Sequence, residues 1–60
     1  MKNKDILPFI NKNVIVFTVW DTIITGEITE VRGNFVTILE ERSETTIKGF
    51  NIRNIKICDT

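Results

Sequence analysis

Two short runs carry the side chains best suited to recognition chemistry: Arg32-Gly33-Asn34 and Lys48-Gly49. Each sets a cation beside a glycine at which an apolar, β-branched run stops. Gly49 is expected to take positive φ there, turning the chain sharply between two strands. Arg32 and Lys48 can neutralise an anion such as a phosphate, and Asn34 can both donate to and accept from a planar polar edge. The same residues also fit a bland description, an ordinary polar turn and a solvated strand end. Covalent chemistry has no comparable set. Cys58 is the sole thiol and there is no histidine, which excludes an intrachain disulfide, an activated cysteine and a zinc site. Glu27, Glu30, Glu40, Glu41 and Glu44 are scattered, with no general base or metal partner beside them. The glycines lack the strand–loop–helix context of a phosphate cradle. We expect a protein that is not an enzyme and needs no cofactor or metal.

The elements that must position these residues can be read from periodicity. Residues 3–12 read as a short helix with Asp5 as N-cap, Pro8 in the first turn and Ile6, Leu7 and Ile10 as its apolar stripe. From Val14 the pattern turns β-branched and aromatic, predicting strands at 14–20, 23–31, 35–40, 45–48 and 52–57. Asp21-Thr22 and Arg32-Gly33-Asn34 supply turns, and residues 41–44 a polar loop. Gly26, inside the second strand, marks a bend or a close backbone approach. One helix followed by five short strands with tight connections predicts a mainly β chain curled into a strongly bent antiparallel barrel. The first strand is apolar on both faces, so one face is expected to meet another subunit.

Size and charge narrow the partners. Sixty residues make a single domain, 1–60, which at this length buries only about 60% of its unfolded surface. With no disulfide or metal to add stability, self-assembly is the expected source. Eight Lys+Arg balance eight Asp+Glu, a formal net charge of zero that disfavours duplex DNA as a partner. No apolar run reaches the roughly 18 residues of a membrane span and no signal peptide is recognisable, so a cytoplasmic protein with no membrane partner is expected.

The order helix–five strands, with Gly26 in the second strand and the run Ile47-Lys48-Gly49-Phe50-Asn51-Ile52 through Ile55, resembles the Sm-like family of Sm, Lsm and Hfq proteins. Val14, Val16, Gly26, Ile28, Val31 and Phe35 are similar to its first motif, and the Ile47 run to its second. The overall pattern looks nearest to small Sm-like proteins of Gram-positive bacteria. The resemblance implies an SH3-like barrel that forms a homo-oligomeric ring, strand four of one subunit beside strand five of the next, with single-stranded RNA as ligand. It places Arg32, Asn34, Lys48 and Gly49 at the RNA site, and Ile47, Phe50, Ile52 and Ile55 at the subunit joint. The chain departs from the family at three of its RNA-reading positions, where Arg32 reverses a charge, Val36 cannot hydrogen-bond a base and Lys48 replaces an arginine.

Other residues carry paired readings. Phe35 is expected in the core, with base stacking the alternative, and Phe17 in the core or an interface. Trp20, at a hairpin turn, is either a partner anchor or a cover for the open end of the barrel. Arg53, Asn54 and Lys56 alternate with isoleucines as a solvated face that RNA could meet. Beside RNA binding stand a protein–protein assembly module on the same scaffold and, third, a monomeric SH3-like peptide binder using Trp20, a reading weakened by the lack of a Tyr/Trp cluster.

Overall fold

The computed structural model describes residues 1–58. Helix α1 spans Asn3–Ile6 and runs into a 3-10 turn at Leu7–Phe9. The strands are β1 (Asn13–Thr18), β2 (Ile23–Arg32), β3 (Phe35–Leu39), β4 (Glu44–Lys48) and β5 (Ile52–Ile57), with a second 3-10 turn at Gly49–Asn51. The chain is thus mainly β, with a short N-terminal helix and a five-stranded antiparallel sheet.

The sheet order is β4-β3-β2-β1-β5. The expected closed barrel is not formed, because β4 and β5 are the two edges and do not pair with each other. After β4 the Gly49–Asn51 turn carries the chain across the open side, and β5 hydrogen-bonds to β1 instead. That crossing spans three residues and needs a strongly curled sheet.

The curl is built into β2. Its first half pairs with β1 and its second half with β3, Glu27 belonging to both ladders. A register shift between Ile28 and Glu30 adds a bulge, which bends a strand and increases its twist. Gly26 faces the carbonyl of Leu39 so closely that an added Cβ would collide with the oxygen. Sequence spacing had marked this glycine for a bend or close approach, and the contact is a close approach. Gly33, with φ of 57°, takes the first central position of the two-residue β2–β3 hairpin loop, where the turn requires positive φ.

The pleat sorts the side chains. Val14 and Val16 of β1, Ile28 of β2, Val36 and Ile38 of β3, and Ile52 and Ile55 of β5 point inward, and Ile6 of α1 closes the core over them. Fully burying each such side chain stabilises by about 1.5–3 kcal/mol. The helix starts at Asn3 as expected but ends at Ile6, short of residue 12. Lys2, not Asp5, is the N-cap, and Asp5 lies within the first turn. Only Ile6 of the expected stripe is fully buried, while Leu7 is exposed and Ile10 half-buried. Ile10 instead forms a parallel bridge with Ile28, and the Asn11 N–H donates to the Ile28 carbonyl at 2.7 Å, which ends the helical segment early.

Gly26→Ala should destabilise by about 2–3 kcal/mol, because the new methyl meets backbone rather than a side chain that can turn aside. Urea unfolding followed by Trp20 fluorescence measures it; an unchanged midpoint would show that the bend does not depend on this contact.

Candidate functional site

The two glycine turns singled out in the sequence come together. The Gly49 N–H donates to the Asn34 carbonyl at 2.8 Å. The register pairs Arg32 with Phe35 and Phe35 with Lys48, so these side chains form one row across β2, β3 and β4 on the outward face. At strand spacings of about 4.8 Å, the two cations flank the aromatic ring from roughly 10 Å apart. Phe35 is 49% exposed, which corrects its expected place in the core. It shares strand parity with Thr37 and Leu39, whereas Val36 and Ile38 take the inward positions. The polar Thr37 was the sequence signal for that parity. Lys48 Nζ also lies 5.5 Å from the ring centroid of the exposed Phe50. Such a contact at an exposed site is worth about 0.5–1 kcal/mol. Arg32 is engaged as well, its Nε lying 3.2 Å from a carboxylate oxygen of Glu30.

The N-terminal segment clasps both turns. The Asn3 side-chain amide donates to the Gly33 carbonyl. The Met1 ammonium donates to the Gly49 carbonyl at 2.9 Å and to the Ile52 carbonyl at 2.8 Å. Gly49 does not adopt positive φ, contrary to expectation; Gly33 is the one described glycine that does. Gly49 is instead buried under the N-terminal segment, where an added Cβ would stand 3.3 Å from both the Met1 carbonyl oxygen and Ile6 Cδ1. A groove of about 300 Å³ opens here, lined by Met1, Lys2, Asn3, Asn34, Gly49 and Phe50.

The residues expected at a subunit joint divide. Phe50 is 64% exposed and available to a neighbour. Ile52 and Ile55 are 2% and 6% exposed, and Ile47 packs against the same core. Their side chains therefore serve the protomer's own interior, because the parity of β5 that brings Ile55 opposite Val16 turns it inward. What β4 and β5 present outward is their free backbone edge and alternating polar side chains such as Thr46, Asn54 and Lys56.

A second region surrounds the β1–β2 turn. Trp20 is 60% exposed and Ile23 62%. A groove of about 350 Å³ opens at Ile23, lined also by Phe17, Thr22, Arg53, Asn54 and Lys56 among others. Arg53 Nη1 pairs with Asp21 Oδ1 at 3.1 Å, which ties the turn to β5. The organiser of the turn is Thr18, which sequence reasoning passed over. It is 1% exposed, its hydroxyl lies 2.6 Å from that of Thr22, and it accepts from the N–H groups of Trp20 and Thr22. A threonine on each side of a turn was the available signal. Asp21 sits at φ of 63°, a conformation that Asp tolerates better than most residues.

Among the described residues no cluster of potential metal ligands is found, and no helix is long and apolar enough to cross a membrane. Comparison with protein-family models, curated proteins and solved structures finds no match.

Thr18→Val should cost about 1 kcal/mol, since it leaves the part-buried N–H groups of Trp20 and Thr22 without their acceptor. Amide exchange at Trp20 and Thr22 should speed up more than in the β1–β5 ladder; uniform acceleration would show that Thr18 supports the whole fold rather than this turn.

Proposed function

We propose that this chain is a non-enzymatic, Sm-like module that forms a homo-oligomeric ring and binds short single-stranded RNA. One observation carries the RNA reading: the outward row Arg32–Phe35–Lys48, with the exposed Phe50 beside Lys48. Single strands expose their base faces along with their phosphates, and proteins bind them by interleaving cations with aromatic platforms. A stacked base is worth about 1–3 kcal/mol by alanine substitution, so Phe35 supplies what a neutral chain lacks in charge. Asn34, exposed beside the row, adds an amide for a base edge.

The ring is supported by the free edges of β4 and β5. Exposed strand edges recruit other strands unless they are covered. A joint between unlike edges repeats head to tail and closes into a ring when the rotation permits. Repetition of the row around a ring raises avidity without new contacts, which suits a formal net charge of zero per chain.

A second reading, an assembly module without nucleic acid, is favoured by two particulars. Arg32 is already paired with Glu30, and Val36 is fully buried and offers nothing to a base.

Fluorescence anisotropy with labelled oligo-U and oligo-A at low salt tests the proposal. The wild type should bind one of them, Phe35→Ala should weaken binding about tenfold, and Lys48→Ala should lower the slope of log K against log salt by roughly 0.7 for each lost phosphate contact. No binding at low salt would favour the assembly reading. Light scattering tests the ring: a mass equal to the 6.9 kDa of one chain would remove it. Phe50→Asp is expected to lower the assembled mass while leaving the fold intact, since Phe50 is exposed; Ile55→Asp would unfold the protomer and test nothing about the joint.

A further inference from the structure

Arg32 and Asn34 sit on the β2–β3 turn and Lys48 at the end of β4, and neither turn has a side-chain bond to the other that would fix their spacing among the described residues. What joins them directly is the backbone bond from the Gly49 N–H to the Asn34 carbonyl. One side chain from a third element reaches both places. The Asn3 amide nitrogen donates to the Gly33 carbonyl, while its Oδ1 would lie 3.5 Å from a Cβ built on Gly49. Asn3 is only half-exposed, and it lines the groove shared by Asn34, Gly49 and Phe50.

We infer that Asn3 is a positioning residue for the Arg32–Phe35–Lys48 row. Its side chain holds the β2–β3 turn against the Gly49 turn, so that both cations and the aromatic ring meet a bound strand in one arrangement. A two-residue hairpin loop exposed to water is otherwise free to rock about its strand ends, and a ligand would have to order it on binding. This role of Asn3 rests on the RNA reading for its functional consequence, but the staple itself can be measured without RNA.

Asn3→Ala and Asn3→Leu both remove the donor without changing charge, and Asn3→Leu keeps the branched outline of the side chain. Hydrogen exchange should report faster opening at the Gly49 amide, about tenfold, with the β1–β5 ladder unchanged. Affinity for the oligonucleotide bound by the wild type should fall about threefold to tenfold. The salt slope should stay at its wild-type value, because no phosphate contact is lost. Unchanged exchange at Gly49 in both variants would overturn the inference, whatever happens to affinity, and a fall in affinity without it would make Asn3 a direct RNA contact. Faster exchange at Gly49 with undiminished affinity would also overturn it. If the wild type binds no oligonucleotide while Gly49 exchange rises as expected, the RNA reading fails and the staple stands as architecture alone.

Discussion

The close approach of Gly26 to the carbonyl of Leu39 is the constraint on which the rest of this fold hangs. It lets a ten-residue β2 serve β1 with one half and β3 with the other. Without that approach and the bulge that follows it the sheet would be a flatter ribbon, and the three-residue turn after β4 could not carry the chain across to β1. The core follows from the curl: side chains of four strands converge on one interior, and Ile6 covers the end that remains. A chain of this size has little other apolar surface to bury, so small losses at the bend are felt throughout.

The same curl determines where chemistry can sit. By folding the two halves of β2 against different neighbours, it brings the β2–β3 turn beside the turn that follows β4, and the Gly49–Asn34 bond fastens them. The Val19 N–H donates to the Asn51 carbonyl at 2.9 Å, so the far end of the same 3-10 turn also meets the β1–β2 turn. Residues 49–51 thus form a hub where three of the sheet's four connecting turns converge under the N-terminal segment. Cations, exposed aromatics and free amides cluster around this hub, while the inward faces stay almost wholly apolar; Thr18, with its hydroxyl fully engaged, is the buried polar exception.

Much of this was legible in the residues. The strands were found to within a few residues because β-branched runs bounded by polar clusters leave little alternative. The turn at 33–34 and the special place of Gly26 were legible for the same local reason, that only certain backbones fit those positions. Legibility failed where parity or long-range contact decided. Phe35 looked like core because it opens an apolar strand, yet register with Arg32 and Lys48 turns it outward. Ile52 and Ile55 looked available to a neighbour, yet their register with β1 commits them to the interior. The local pattern continues the helix to residue 12 because nothing local announces that Ile10 will bridge to Ile28.

The sequence by itself determined the element order, the special place of Gly26, the absence of paired thiols and histidines, and the identity of the cations and the amide at the turns. These depend on local conformational preference and on composition, which neighbours in space cannot alter. Only the tertiary structure decided that β5 joins β1 and leaves the sheet open, which faces Phe35 and Ile55 take, and that Gly49 is packed rather than left-handed. Each of those outcomes depends on which distant strand wins a given hydrogen-bonding edge, and that competition is resolved by burial across the whole core rather than by any short stretch of chain.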